Sequence, residues 1–548
     1  MKTAKSGTDY ALFIVTHYRE LTRSGMDLEE AVVAAMDTAG RAVVFAGVTV
    51  VVSLLGLLLI GLAFIAGLGI AAAITVATTM FASMTLLPAL LGFAKERVEI
   101  TRWRGLIAAG FAAVALIGLG LGLTALAAGG AILAVATIWL SIVVAPLRGL
   151  VPSRPPRPIR ETLAYRWSRI VQARPILSLA LGAGVLVVLS LPAIGLRLGF
   201  SDEGNFAEDT TTRQAYDLVA EGFGPGFNGP FLVAVEVGDP ADGAVLPALV
   251  EALAADEGVA SVSAALPSDP ANPQTSDAYL IQVIPTSSPQ DKATKNTVER
   301  LREDVIPPVV SGTTLDANIT GSVPADVDVT EFLATRLVVF FGVVLALSFL
   351  LLMAVFRSLL VPLKAVIMNM LSIAAAYGVV VAIFQWGWFG SLTGIQPAPI
   401  EPFIPMMLFA IVFGLSMDYE VFLLSRIKED FDRTGDAVNS VANGLAATAR
   451  VITAAAAIMV VVFGSFLLED DRIIQLFGTG LALAVLLDAT LVRMVVAPST
   501  MQLLGKRNWW FPRWLDRIIP SVDIAGSVPH EPHTASDDEH DREPTPVR

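Results

Sequence analysis

The sequence predicts a polytopic α-helical membrane protein: a duplicated helix bundle with one α/β domain outside it. Three observations carry this reading. Apolar runs of about 20 residues, the length that crosses a bilayer core, recur along the chain. Hydrophobic residues make up 54% of the 548 positions and charged residues only 16%, too few to coat a soluble body of this size. The net charge of −13 is also unevenly placed: residues 200–330 hold 21 acids and 5 bases, and the remainder is slightly basic. An acidic block of that kind excludes nucleic acid as a partner. The absence of cysteine excludes disulfides and cysteine–zinc sites.

The apolar runs place spans, in order, over residues 9–17 (a short piece), 43–63, 67–93, 106–124, 127–144 and 176–196. After the acidic block come 337–355, 360–384, 403–424, 451–468 and 473–497. The tail from Ser521 has no apolar periodicity and reads as disordered. Single crossings put Arg19, Arg23, Arg41, Arg102, Arg104, Lys364, Arg426 and Arg450 on one side. By the positive-inside rule that side is the cytoplasm, with the acidic domain outside and the tail in the cytoplasm. This defines a multi-pass protein of the cell membrane.

The acidic block alternates helix-like and strand-like stretches. "TTRQAYDLVAEGF", "LPALVEALAA" and "DKATKNTVERLREDVI" read as helices, and "PFLVAVEV", "YLIQVIP" and "LDANIT" as strands. That order predicts a small α/β unit of the split βαβ, ferredoxin-like type. "GFGPGFNG" is glycine-rich but precedes a strand, so it reads as a domain loop and not as a phosphate cradle.

An internal repeat follows from two short motifs. "TDYALFIVTHYREL" and "MDYEVFLLSRIKEDF" align at one constant offset, matching Asp9, Tyr10, Phe13 and Glu20 to Asp418, Tyr419, Phe422 and Glu429. The same offset carries Arg41 onto Arg450. With a two-residue gap, "GLGIA" at Gly67 meets "GTGLA" at Gly478. The bundle is therefore duplicated, with both copies in one orientation. Domain by domain, 1–94 is the remainder of the first repeat and 95–174 a cytoplasmic linker with an apolar hairpin over 106–144. Residues 175–199 form the first helix of the second repeat, 200–332 the outer domain, 333–504 the rest of the second repeat and 505–548 the tail. Symmetry predicts that about 235 residues preceding Asp9 are missing, so the chain reads as N-terminally truncated.

These motifs resemble the actinobacterial MMPL family of the resistance–nodulation–division (RND) superfamily. "EGFGPGFNGP", "RSLLVPLKAV", "ARVITAAAAIMVVVFGSF", "LLDATLVRMVVAP" and "NWWFPRWLDRIIP" extend the likeness over residues 7–93 and 165–519. The resemblance implies an RND-type bundle with one periplasmic porter domain. It further implies proton-motive-force-driven export of lipids or other amphipathic compounds across the cytoplasmic membrane. No enzyme activity, cofactor or metal is implied. The partners are a hydrophobic or lipid-like substrate, protons and membrane lipids, with homo-oligomers or envelope-synthesis proteins as further candidates. The alternatives are a non-transporting membrane scaffold and a lipid sensor on the same fold.

A carboxylate inside the bilayer is costly when ionised and unpaired, so an intramembrane acid carries a functional presumption. Asp9 and Asp418 are the candidate proton carriers. Tyr10 and Tyr419 can each donate a hydroxyl hydrogen bond to the carboxylate of the opposing repeat. Lys5, four residues before Asp9, is spaced to pair with it on one helical face. Gly414, one turn before Asp418, permits close helix approach. Asp488 either extends a proton path from Asp418 or forms with Arg493 a polar pair that sets helix depth. Pairing of Asp418 with Arg426 or Lys428 is the bland reading, but Arg426 lies about 12 Å along the helix. Glu420 reads as a helix-surface acid, His17 as solvated, and Arg41 and Arg450 as cytoplasmic anchors. His530, His533 and His540 sit in the tail without a ligand pattern.

Overall fold

The long apolar stretches do fold as helices in the computed structural model. It describes residues 5–94, 102–120, 122–149, 151, 159–273, 276–390 and 394–517, without the side chains of 5–10, 12, 120, 145, 148 and 159. Helix α1 covers Lys5–Arg23. It is followed by α2 over Leu28–Ile60 and α3 over Ala63–Ala94. A hairpin of α4 (Trp103–Gly120) and α5 (Thr124–Leu140) comes next. Helix α6 spans Leu163–Ala173 and α7 Pro175–Gly195. The outer domain contributes α8 (Thr211–Phe223), α9 (Leu246–Ala254) and α10 (Lys292–Arg300). The second half of the bundle is α11 (Ser322–Phe356), α12 (Leu360–Gln385), α13 (Ile404–Thr434), α14 (Ala437–Leu468) and α15 (Arg472–Trp509). Among the described residues, eight of these, α2, α3, α7 and α11–α15, are long and apolar enough to cross a membrane. The tail with its three histidines, and the linker stretch 152–158, lie outside the described residues.

Two helices differ from the apolar reading. α6 was missed because it is amphipathic, not apolar throughout. It lies against the bundle, where Trp167 Nε1 donates to Met494 O at 3.0 Å and Gln172 Nε2 to Val438 O at 3.1 Å. α11 begins at Ser322, inside the stretch assigned to the outer domain, and continues unbroken to Phe356. Its first turns carry Asp326, Asp328 and Glu331, which a hydropathy window discards.

The outer domain is an antiparallel sheet of β1 (Phe231–Val237), β2 (Val259–Val262), β3 (Leu266–Pro267), β4 (Ala278–Pro285) and β5 (Leu315–Thr320). Its order is β2-β4-β1-β5, with β3 pairing on β4. β1 alternates inward and outward as a half-buried strand must, with Phe231, Val233, Val235 and Val237 buried. These pack against Leu249 and Leu253 of α9 and Val298 of α10 in one core. β2 and β3 are too short to show alternation, so the sequence pattern did not reveal them. The glycines before β1 are needed for close approach: a Cβ at Gly226 would stand 1.7 Å from Pro285 O.

α13 is the central helix. Most of its residues from Ile404 to Ile427 are buried, with a stripe through Met407, Ile411, Leu415 and Phe422 half-buried. Ser53 Oγ of α2 donates to Ala410 O of α13 at 2.9 Å in this core. The domain joins the bundle through the segment before Glu401: Gly199 N donates to Ile400 O at 3.1 Å and Ile400 N to Arg197 O at 3.0 Å.

Candidate functional site

Helical geometry divides the polar residues of α13 between two faces. Ser416 and Glu420, four apart, share one face. Asp418, two residues from each, points the opposite way, and Tyr419 stands between.

On the first face, Asp418 is 7% exposed and lines a cavity with Tyr419, Phe422, Phe13 of α1, and Ala39 and Val43 of α2. The cavity is roomy enough for a water molecule. Phe13 and Phe422 close one wall, edge to face with centroids 4.2 Å apart. Gly414 brings α2 against α13: a Cβ there would stand 3.1 Å from Val50 Cα and 3.2 Å from both its methyl carbons. Arg426 and Lys428 are engaged elsewhere. Arg426 pairs with Glu429 at 3.0 Å and meets His17 Nδ1 at 3.1 Å, and Lys428 pairs with Asp432 at 2.5 Å. His17 is therefore not simply solvated. Its side chain is 14% exposed and lies between Arg426 and Glu20. Asp9 and Tyr10 belong to α1, which meets α13 through the side chains of Phe13 and His17, but their own side chains lie outside the described residues.

The second face holds a buried polar seam. Arg493 is fully buried. Its Nε donates to Asp488 Oδ2 at 2.9 Å and its Nη2 to Ser416 Oγ at 3.1 Å and to Ser416 O. Its Nη1 lies 3.9 Å from Glu420 Oε2. Its guanidinium also stands over the Tyr419 ring, 5.2 Å from the centroid. Ser416 Oγ donates to Asn369 Oδ1 at 2.7 Å, extending the seam into α12. Lys364 of α12 is buried as well, with the charge of Glu420 acting on it. Tyr419, Ser416 and Asp488 line a second, smaller cavity together with Ile452 and Val485. Tyr419 thus borders both cavities, with Asp418 on one and Asp488 on the other.

Local helix geometry makes the Asp488–Arg493 pair possible. In an α-helix, residues five apart point about 140° away from each other. Residues Asp488–Val496 instead form a π-helix, closed by i→i+5 bonds, which brings the two side chains onto one face. Such widened turns are rare and favour functional sites.

One sequence expectation is overturned here. Glu420 is not a helix-surface acid, being 1% exposed between Arg493 and Lys364. Lys364, near the start of α12, is also buried, at 8% exposed. The only available signal was their place on the inward stripe of an otherwise apolar helix.

A separate buried pair lies between the bundle and the outer domain. Glu401 Oε1 accepts from Arg472 Nη1 at 2.8 Å and from Ser201 Oγ at 2.6 Å. Arg472 Nη2 also donates to the carbonyls of Ala398 and Pro399, both at 3.1 Å. No local pattern marks these residues, 71 apart, as partners.

The model of the MMPL family matches residues 5–117 and 208–521. The chain is 31% identical over 531 residues to the mycolic acid-containing lipids exporter MmpL11 of Mycolicibacterium smegmatis, covering 95% of this chain and 50% of that protein. It is 33% identical over 530 residues to the heme uptake protein MmpL11 of Mycobacterium tuberculosis, covering 95% and 49%. The chain thus spans about half the length of these curated relatives. Among solved structures, the hedgehog release protein Disp of the water bear Hypsibius dujardini matches with a TM-score of 0.55 at 11% identity, over 92% of this chain and 63% of that one, a likeness of fold.

Proposed function

This chain belongs to the MMPL family of the RND superfamily, and we propose that it couples proton movement through the Asp418–Tyr419 region to export of a lipid or other amphipathic compound. One observation carries the reading. Among the described residues, and apart from the Glu401–Arg472 pair, the bundle interior holds three carboxylates, Asp418, Glu420 and Asp488, and two cations, Lys364 and Arg493. Charge inside the bilayer is costly, so a carboxyl at this depth is a natural place for a proton to be taken up and released. Gain or loss of that proton changes the charge inside the bundle and biases one helix arrangement over another. Tyr419, bordering the cavities of Asp418 and Asp488, is the bridge between the acid that exchanges the proton and the pair that responds. Asp9 and Tyr10 take the corresponding roles in the first repeat, and Gly414 keeps α2 close enough to sense the change. The substrate class rests on the relative named as a lipids exporter.

The test is transport by the reconstituted protein under an imposed proton gradient, using a fluorescent lipid. Movement that collapses with an uncoupler and is lost in Asp418→Asn supports the reading. Movement that survives either change sinks it.

A second reading, inward movement of an amphipathic ring such as heme, is favoured by the relative named as a heme uptake protein. Hemin quenching of a dye trapped inside right-side-out vesicles separates the two directions.

A further inference from the structure

The hairpin of α4 and α5 takes no part in the site described above. Residues 105–144 contain no Asp, Glu, Lys, Arg or His. Leu116, Leu119, Ile132, Val135 and Ile138 are all exposed. A helix pair lying on an aqueous surface turns a polar stripe to water, and this pair has none. Two of its three hydroxyls bond within their own helix: Thr137 Oγ1 donates to Leu133 O at 2.7 Å and Ser141 Oγ to Ile138 O at 2.6 Å. The two helices meet through small residues. A Cβ at Gly118 would stand 2.4 Å from Ala127 N, and one at Gly130 would stand 2.6 Å from Ala115 N. Backbone contact of that kind is how helices pair in a medium that supplies no hydrophobic drive.

The open end has a different character. Arg102 and Arg104 stand there beside Trp103 and Trp139, both of whose rings are exposed. Trp103 N donates to Gly149 O at 3.2 Å and closes the base. Cations and indoles gathered at one level match the headgroup layer of a bilayer, the cations complementing anionic lipids. Length supplies a second constraint. α4 has 18 residues and α5 has 17. At about 1.5 Å per residue they reach roughly 25–27 Å, short of a hydrocarbon core of about 30 Å. The eight long helices have 21 to 38 residues.

We propose that this hairpin is a lipid-binding surface that enters the bilayer from one side only. Arg102, Arg104, Trp103 and Trp139 sit at the headgroups, and phospholipid acyl chains cover both helices. The tip at Gly122 and Leu123 stays within the apolar layer and does not emerge into the water beyond. This holds whether or not the chain moves a substrate.

The protein has no cysteine, so a single introduced thiol is unique. Leu116→Cys, Leu123→Cys and Leu140→Cys, each at an exposed side chain, are labelled with bimane in the full chain. The protein is then reconstituted into phosphatidylcholine–phosphatidylglycerol vesicles. Lipids brominated on their acyl chains quench from within the membrane, and iodide quenches from the water. Leu218→Cys on α8, 68% exposed, calibrates a water-facing probe. The expected result is that the Leu116 and Leu123 probes lose most of their emission to brominated lipid and none to iodide, the reverse of Leu218. Leu119→Cys and Val135→Cys replace any variant that does not reconstitute. Probes at these positions that behave like Leu218 overturn the proposal. So do probes quenched by neither agent, because the hairpin would then be covered by protein.

Discussion

Phe13 and Phe422 occupy the same position in the two repeats, 409 residues apart, and their rings pack edge to face with centroids 4.2 Å apart. One turn further on, His17 and Arg426, related by the same offset, approach to 3.1 Å. A residue that touches its own counterpart lies on a twofold axis. The pseudo-twofold of the bundle therefore runs between α1 and α13, through the wall of the Asp418 cavity. Phe13→Leu and Phe422→Leu should be non-additive, with a coupling of about 0.5–1.5 kcal/mol beyond area burial. Thermal denaturation of the two single variants and the double variant in detergent measures it. Strict additivity would mean that the rings pack independently.

Arg493 holds Asp488, Ser416 and Glu420 together at zero exposure. Arg493→Gln leaves two carboxylates without their cation and should cost about 3–5 kcal/mol, the range for breaking a buried pair from one side. Adding Asp488→Asn removes one of those stranded charges and should restore part of the loss. The midpoint of heat-induced aggregation is the measurement. An unaltered midpoint in Arg493→Gln would mean that the seam contributes nothing to the fold.

Glu401 and Arg472 tie the entry to the outer domain onto the bundle, with Ser201 as the third partner. Arg472→Ala strands a buried carboxylate and the carbonyls of Ala398 and Pro399. Faster hydrogen exchange is expected at residues 197–201 and 398–404, with little change in β1 and β4. Glu401→Gln keeps an accepting oxygen and should show a smaller version of the same pattern. Exchange that rises across the whole domain would mean that the pair supports the fold generally and is not a local tie.

Gly414 allows α2 and α13 to touch at Val50. An added methyl meets atoms 3.1–3.2 Å away, so one helix has to move. Gly414→Val overpacks this contact and should cost about 1–3 kcal/mol. Val50→Ala in the same chain removes the two nearby methyl carbons and should recover much of that loss. Failure of Val50→Ala to rescue would place the strain elsewhere.

Asp202, outside the bundle, supplies the pH dependence. It accepts from Tyr216 Oη at 3.0 Å, from Gly204 N at 2.9 Å and from Gln290 Nε2. Burial nonetheless outweighs these bonds and raises its pKa above the ordinary 3.8. The folded state thus binds this proton more tightly than the unfolded one. Its contribution to stability is greatest below the ordinary value and is lost as pH rises through the raised one. Hydrogen exchange of residues 202–223 should therefore quicken as pH climbs through that window, after correction for the intrinsic rate. Asp202→Asn should flatten the profile. A wild-type profile already flat would mean that Asp202 titrates at its ordinary value.

Much of the architecture was legible because it rests on local patterns. Apolar runs mark the spans, and the alternation in "FLVAVEV" marks β1. A constant offset marks the duplication and singles out Asp418, Tyr419 and Phe422 as a set. Asp488 was visible as an acid in a long apolar helix. Its bond to Arg493 was not, because α-helical spacing argues against that pair and only the π-turn creates it.

What the sequence determined by itself, then, was the membrane class, the repeat and the acids worth suspecting, since hydropathy and offset are properties of the chain taken in order. Tertiary structure decided which charges face one another. Lys364 and Glu420 each look like boundary residues on their own helix. They are buried because α12, α13 and α15 pack with those faces inward. Glu401 and Arg472 meet for the same kind of reason. The fate of a single charged side chain depends on the neighbour that covers it, and that neighbour is set by how distant helices close around a shared core.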